Sequence, residues 1–271
     1  MSAQISAFTK IIREMGEAGQ QMTDLHAAEG SAGNISAYIR DLPELNADYT
    51  HFVKYSLPIE VPNLARGWVV ISATGRRLRD LGRAPQISVV ALHIKPDGAT
   101  ADLYSAIPGL LPTSELNSHL AIHNQQVAQT GVTFHAIVHA QPPYITFLSH
   151  MDRYAQSDEM LNKQLLRWEP ESILMFPEGI GMVPFAVPGS PDLMQLTVSS
   201  LQKHHLVIWQ RHGVVSRSEV GLLKAADLVE YAETAARYEY MNLTVVQPAR
   251  GLSPEQIRAI AEHYDIKQSI F

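Results

Sequence analysis

The stretch ISVVALHIKPDGATADLY, residues 87–104, predicts a β-hairpin. An apolar run from Ile87 to Ile94 leads into the turn Pro96-Asp97-Gly98, and a second strand-forming run extends from Thr100 to Tyr104. Proline and glycine in a short link between two such runs favour a tight turn. Because a tight turn joins antiparallel neighbours, whereas parallel strands need a long crossover, the sheet should be at least partly antiparallel.

Helical and strand patterns alternate on both sides of this hairpin. One apolar stripe at helical spacing is formed by Ile5, Phe8, Ile11, Ile12 and Met15. Its helix is predicted to end near Gly19. The segment 41–67 contains three prolines and predicts an irregular surface excursion. Further strands are predicted at 35–39, 68–71, 134–139, 173–176, 182–185 and 205–209, and helices at 115–130, 191–203, 219–243 and 254–263.

This mixture predicts a single α/β domain, residues 1–271. We expect three layers, with a central mixed, largely antiparallel sheet covered by helices on both faces. A nucleotide-binding sheet is disfavoured, because Gly30-Ser31-Ala32-Gly33 lacks both the Gly-x-Gly-x-x-Gly pattern and the lysine of a P-loop.

The composition narrows the classes of function. A formal charge of −6 over 271 residues leaves no broad basic surface, so we expect no nucleic-acid partner. The chain has no cysteine and 12 histidines, so a bound metal would take nitrogen and oxygen ligands. No apolar run approaches the roughly 18 residues of a membrane span, and a signal-peptide pattern is not seen. We therefore expect a cytoplasmic protein with no membrane partner.

Three polar side chains stand at the ends of predicted elements, where an active site can form. His139 ends the strand 134–139, and His212 follows the strand that ends at Trp209. Glu115 begins a helix, where the dipole favours a carboxylate that ligates metal or shuttles a proton. Taken singly, each residue type is more often structural than catalytic. The residues alone therefore leave a shared metal site and ordinary structural roles both open.

Five segments carry a resemblance to a known family. They are PTSEL (112–116), VHA (138–140), FPEGIG (176–181), VPGS (187–190) and KHHLVIWQRHGV (203–214). In order and approximate spacing they resemble the class II aldolase/adducin family, and within it the L-rhamnulose-1-phosphate aldolases. The likeness extends from the N-terminal to the C-terminal helix, and its most specific parts are the Thr-Ser-Glu-Leu and Trp-x-x-His-Gly motifs.

The resemblance implies a metal-dependent site. In the family, Zn²⁺ held by three histidines polarises the ketose carbonyl while a glutamate moves protons. His139 and His212 match two of these histidines, Glu115 matches the catalytic glutamate, and Glu171 matches a glutamate offered to the neighbouring subunit's site. Gln141 stands where the remaining ligand histidine is expected. We therefore expect weaker zinc binding, another divalent ion, or recruitment of Glu115 as a ligand.

The resemblance also implies a phosphate site built from small residues and backbone amides. The matching positions are Ser31, Gly33, Asn34, Thr74, Gly75, Thr113 and Ser114. Ser31 departs from the family, which has an asparagine there. Each position is equally compatible with ordinary turn chemistry. The remaining histidines, among them His119, His123 and His135, receive no role.

The expected activity is that of an aldehyde-lyase in rhamnose degradation. It would cleave a ketose 1-phosphate, first of all L-rhamnulose 1-phosphate, between C3 and C4 into dihydroxyacetone phosphate and L-lactaldehyde. The family assembles as a homotetramer, and the same is expected here. Two alternatives stay open because of Gln141: a related sugar-phosphate lyase or dehydratase, and a non-catalytic, adducin-like binding protein.

Overall fold

Nine strands form one sheet in residues 6–271, the part of the chain that the computed structural model describes. The strands are β1 (Asn34–Ile39), β2 (His51–Ser56), β3 (Trp68–Ser72), β4 (Val89–Ile94), β5 (Thr100–Ser105), β6 (Phe134–Ala140), β7 (Gly181–Val183), β8 (Leu206–Trp209) and β9 (Gly213–Ser218). Their order is β2-β5-β4-β3-β1-β6-β9-β8-β7, with β7 and β8 parallel and the other neighbours antiparallel. The predicted mixed, largely antiparallel sheet is confirmed, as is the hairpin of β4 and β5.

Helices precede, connect and follow the strands. They are α1 (Ala7–Asp24), α2 (Pro85–Ser88), α3 (Leu116–Thr130), α4 (Pro143–Leu148), α5 (Asp152–Ala155), α6 (Asp158–Leu165), α7 (Pro170–Met175), α8 (Pro191–Leu201), α9 (Leu222–Thr244) and α10 (Pro254–His263). Proline in the first turn and serine at the N-cap start both α8 and α10, at the positions where the sequence predicts helices to begin. In the described part of the chain, no helix has the length and apolar character that a membrane crossing requires.

Alternate side chains of the central strands contact different helices. Ile35 of β1 and Val138 of β6 pack in one cluster with the buried residues of α1 and α9. Tyr38 of β1 packs instead in a cluster with α3, and Ile137 of β6 in a cluster with α3 and α8. Because side chains alternate between the two faces of a strand, each face of the central strands has its own apolar core.

The predicted end of α1 is wrong, because the helix continues past Gly19 to Asp24. A methyl group added at Gly19 would overlap the carbonyl oxygen of Leu78. This glycine therefore permits a close backbone approach and does not terminate the helix. The buried stripe is confirmed from Phe8 to Met15, whereas Ile5 lies outside the described residues.

Two further predictions of local structure are wrong. The segment 41–67 is not irregular throughout, since it contains β2 and a 3₁₀ helix at Pro62–Leu64. β2 is an edge strand exposed on both faces, so it lacks the alternation that identifies a strand. Residues 173–176, predicted as a strand, lie in α7 and at its C-cap. A short apolar run does not distinguish the two structures, and here Pro170 starts a helix.

Candidate active site

Glu115, His139 and His212 converge at one point beside the sheet. One nitrogen or oxygen ligand atom from each lies within 4.8 Å of the other two. Glu115 Oε2 is 3.6 Å from His139 Nε2, and the two imidazole ring centroids are 5.0 Å apart. The structure thus brings together the three residues that the sequence placed at separate element ends.

Each of the three is held by a different element. Glu115 is the N-cap residue of α3, and His139 lies near the end of β6. His212 lies in the turn 210–212 between β8 and β9, where Arg211 adopts a positive φ of 65°. A methyl group added at Gly213 would overlap the Ala140 carbonyl oxygen, so this glycine lets the turn approach the end of β6.

The imidazole of His139 has a defined orientation. Its Nδ1 donates to the carbonyl oxygen of Val214 at 2.8 Å, because a carbonyl can only accept. The remaining nitrogen, Nε2, points towards Glu115. Trp209 packs against both histidines, with ring centroids 4.6 Å from His139 and 5.1 Å from His212. A histidine fixed through its other nitrogen is a typical metal ligand.

Charge and burial favour a bound cation at this point. Burial, and then the neighbouring His139, lower the pKa of His212 to about 4, which keeps its imidazole neutral at pH 7. Burial raises the pKa of Glu115, but the neighbouring His139 and the hydrogen bond from Asn34 outweigh it, so the pKa is lowered overall. His212 Nδ1 is buried and has no hydrogen-bond partner among residues 6–271. One carboxylate and two imidazoles, of which His212 is neutral at pH 7, fit a divalent metal ion.

The other two predicted catalytic or metal-binding residues are Gln141 and Glu171. Gln141 directly follows β6, and a methyl group added at Gly213 would be 3.1 Å from Gln141 Cγ. Gln141 therefore borders the turn that carries His212, and its role as a ligand stays a prediction. Glu171 is exposed in the first turn of α7 and is not part of the cluster. Its role at a neighbouring subunit's site also stays a prediction.

The three segments predicted to hold phosphate lie side by side. Ser72 Oγ accepts from the backbone N–H of Ile35 at 3.1 Å, and the Ser72 carbonyl accepts from Thr113 N at 3.1 Å. A methyl group added at Gly33 would be 2.8 Å from the His139 carbonyl oxygen. The segments therefore meet next to β6. Exposed residues among them are Ser31, Thr74, Gly75 and Ser114, whereas Asn34 and Thr113 are buried.

Asn34 has partners that the sequence analysis missed. Its Nδ2 donates to Glu115 Oε2 at 2.7 Å, and its Oδ1 accepts from His119 Nε2. The available signal was the four-residue spacing of His119 and His123, which places both on one face of the helix that Glu115 begins. Trp209 was also missed as a packing partner of both site histidines.

Known proteins resemble this chain over most of its length. Residues 13–240 match the family described as Class II Aldolase and Adducin N-terminal domain. A rhamnulose-1-phosphate aldolase of Yersinia pseudotuberculosis serotype IB is 30% identical over 244 residues, covering 88% of this chain and 87% of the relative. A sugar-phosphate aldolase structure from Thermotoga maritima has a TM-score of 0.73 and 26% identity, covering 89% of this chain and 97% of that chain. A structure of L-fuculose 1-phosphate aldolase, at 19% identity and a TM-score of 0.63, shares the fold over 96% of this chain and 99% of its own.

Proposed function

The chain belongs to the class II aldolase/adducin family and is an aldehyde-lyase of the class II aldolase type, and on this premise we propose its substrate and its site residues. The proposed reaction is reversible cleavage of L-rhamnulose 1-phosphate to dihydroxyacetone phosphate and L-lactaldehyde. The observation that carries the proposal is the meeting of Glu115, His139 and His212 beside three segments of small residues. The Yersinia relative supports the choice of sugar.

We propose that His139 Nε2 and His212 hold a divalent metal, with Zn²⁺ as the ion. Gln141 completes the ligand set through its amide oxygen, or Glu115 does so through its carboxylate. When bound, such an ion supplies a Lewis acid that polarises the ketose carbonyl. The hydrogen bond to the Val214 carbonyl holds the His139 ring in place. Trp209 packs against the rings of both His139 and His212.

Glu115 moves the proton in this mechanism. In the cleavage direction the C4 hydroxyl loses its proton as the C3–C4 bond breaks to give the aldehyde, and C3 gains a proton. In the condensation direction C3 loses a proton and the aldehyde oxygen gains one. The lowered pKa of Glu115 makes its carboxylate the proton acceptor at neutral pH, and the hydrogen bond from Asn34 orients it. We propose that Glu171 of a neighbouring subunit assists from across the boundary.

The adjoining segments are proposed to hold the phosphate group of the substrate. We propose that it is held by hydroxyl groups and backbone N–H groups of Ser31, Gly33, Asn34, Thr74, Gly75, Thr113 and Ser114. Gly33 and Gly75 have φ angles of +81° and +68°, backbone shapes that form concave anion sites with their neighbours. The start of α3 at Glu115 adds the positive end of a helix dipole.

The wider architecture follows from the same family relationship. We propose a single domain of residues 1–271 with three layers, supported by the separate helix clusters on the two faces of β1 and β6. We also propose a homotetramer, in which the exposed Glu171 reaches a second site. A cytoplasmic location is proposed because a phosphorylated sugar does not cross a membrane unaided.

The test is a coupled assay of dihydroxyacetone phosphate release. Purified protein, metal-free or reconstituted with zinc, is given L-rhamnulose 1-phosphate or L-fuculose 1-phosphate, and product reduction is followed through NADH oxidation. We expect zinc-dependent cleavage of the rhamnulose ester, abolished by His212→Ala and preserved in His263→Ala on α10. Release of a dehydrated sugar instead of dihydroxyacetone phosphate would favour a dehydratase, and absence of both zinc binding and turnover would favour a non-catalytic protein.

A further inference from the structure

A hydrogen-bonded chain of buried side chains starts at Glu115. Asn34 Nδ2 donates to Glu115 Oε2 at 2.7 Å, and Asn34 Oδ1 bonds His119 Nε2. On the other side of the ring, His119 Nδ1 is 2.6 Å from Ser36 Oγ. Asn34 and Ser36 lie on the same face of β1, which α3 covers.

The series of hydrogen bonds continues from Ser36 deeper into the protein. Ser36 Oγ is 2.8 Å from His123 Nε2, and His123 Nδ1 is 2.8 Å from His135 Nδ1 on β6. Two strands and one helix thus contribute to a single line of polar groups. The exposed fractions are 5% for Asn34, 0% for Ser36, 2% for His119, 0% for His123 and 0% for His135.

These histidines are neutral. Buried imidazolium without a paired anion is costly, and no carboxylate bonds any of the three within the described residues. Burial accordingly lowers the pKa of His119 and of His135 to about 3, and that of His123 well below its ordinary value. Each ring therefore has one donor nitrogen and one acceptor nitrogen.

Because the three imidazoles are neutral, the donor and the acceptor of every hydrogen bond in this series are determined. A carboxylate only accepts, so Asn34 presents its amide N–H to Glu115 and its oxygen to His119. His119 must then carry its proton on Nε2, and its Nδ1 accepts from the Ser36 hydroxyl. Because that hydroxyl has one proton, it accepts from His123 Nε2–H, and His123 Nδ1 accepts from His135 Nδ1–H.

From this geometry we propose that Ser36, His119, His123 and His135 are positioning residues that act through Asn34 to hold the Glu115 carboxylate for proton transfer. This inference rests on the proposed function, because it assigns Glu115 the proton-moving role. In each of the five hydrogen bonds, from His135 through His123, Ser36, His119 and Asn34, the donated proton points along the series towards the Glu115 carboxylate. Each bond therefore polarises the next. A break at Ser36 leaves His119 free to change tautomer and lets the Asn34 amide rotate, which removes a charge-assisted hydrogen bond from Glu115.

The first measurement reads the tautomers directly. Zinc-loaded protein labelled with ¹⁵N in its histidines is examined by NMR, which distinguishes Nδ1–H from Nε2–H rings. We expect Nε2–H for His119 and His123 and Nδ1–H for His135, with the His119 and His123 signals altered in Ser36→Ala. A charged ring or the opposite tautomer at His119 would overturn the proposal, and this result does not depend on aldolase turnover.

The second measurement separates positioning from structural support. In Ser36→Ala we expect kcat to fall on the order of tenfold, with KM and zinc affinity within about twofold of wild type. Ser36→Thr retains the hydroxyl and should restore kcat. The matched control is Ser216→Ala on β9, because Ser216 is also fully buried but donates to the Ala225 carbonyl at 2.7 Å, away from Glu115.

The outcomes distinguish this inference from the proposed function. Equal kcat values in Ser36→Ala and Ser216→Ala, measured on folded and zinc-loaded protein, would overturn the positioning role. If wild-type protein cleaves no ketose 1-phosphate, the proposed function fails, and the tautomer pattern then decides whether the directed chain exists. If Ser36→Ala does not fold, the wild-type tautomers and the Ser36→Thr rate provide the decision.

Discussion

Acidification from pH 7 to pH 5 should destabilise the fold sharply. Burial lowers the pKa of His119 and His135 to about 3 and that of His123 well below the ordinary value of 6.5. Below pH 6.5 these histidines bind protons in the unfolded chain but not in the folded chain. The stability that these histidines contribute is therefore complete above pH 6.5 and is lost progressively as the pH falls towards their folded pKa values.

The size of the loss follows from the difference between the pH and the ordinary histidine pKa of 6.5. Each pH unit below the ordinary histidine pKa costs about 1.4 kcal/mol per site, so a histidine still neutral at pH 5 loses about 2 kcal/mol. The three buried rings together lose about 6 kcal/mol.

Glu233 opposes this loss. It is 4% exposed and accepts from the backbone N–H groups of Tyr144 and Ile145. Burial, despite these bonds, raises its pKa to about 7. Its contribution has the opposite sign, and it returns about 2 kcal/mol as the pH falls from 7 to 5. The net loss from these four groups is about 4 kcal/mol, and the lowered pKa of His212 adds to it with the same sign. This is a large part of the 5–15 kcal/mol that is typical of a folded domain.

The assay is urea unfolding followed by tryptophan fluorescence at pH 7, 6 and 5, with EDTA present so that metal release does not contribute. We expect the free energy of unfolding to fall by at least about 4 kcal/mol over this range. His135→Gln should remove about 2 kcal/mol of this pH dependence, and His51→Gln on the exposed strand β2 should leave it unchanged. Equal unfolding free energies at pH 7 and pH 5 would refute the neutral assignment of the histidines.

Three further predictions concern single positions. Gln141→His should tighten zinc binding, since imidazole replaces a weak neutral oxygen donor; competition with a chromophoric chelator measures this, and an unchanged affinity would place Gln141 outside the ligand set. Gly213→Ala should destabilise the protein by about 1–3 kcal/mol and weaken zinc binding, because the methyl group overlaps the Ala140 carbonyl oxygen; an unchanged melting temperature would contradict this. Glu233→Gln should enlarge the loss of unfolding free energy between pH 7 and pH 5 by about 2 kcal/mol, and a smaller loss than in wild type would show that the sign is wrong.

The elements that the sequence predicts well are those with a local signal. The β4–β5 hairpin has its turn residues, and α10 has its capping serine and first-turn proline. β2 was missed because its pairing with β5 at the sheet edge is a long-range contact that leaves its side chains exposed. Gly19 was misread because its neighbour, the Leu78 carbonyl, is remote in sequence and leaves no local trace.

The site divides in the same way. The ends of the predicted elements and the resemblance were enough to select Glu115, His139 and His212. That one ligand atom of each lies within 4.8 Å of the other two depends on the packing of α3 and the β8–β9 turn. The partners of Glu115 could not be selected, since they come from the β1–β6 register and the position of α3 over it. Asn34 shows the limit best, because the position predicted for phosphate also holds the carboxylate.

The buried chain behind Glu115 also bears on the choice between an enzyme and a non-catalytic protein. Burying polar groups costs free energy that their hydrogen bonds only partly recover, and apolar side chains of similar size often serve a core equally well. A binding protein that had lost catalysis would gain nothing from holding three neutral histidines and a serine in line with a carboxylate. Gln141 removes one imidazole from the expected ligand set, yet every side chain that orients Glu115 is present and bonded. The altered position therefore favours a change in metal affinity or ion over a loss of the proton-transfer machinery.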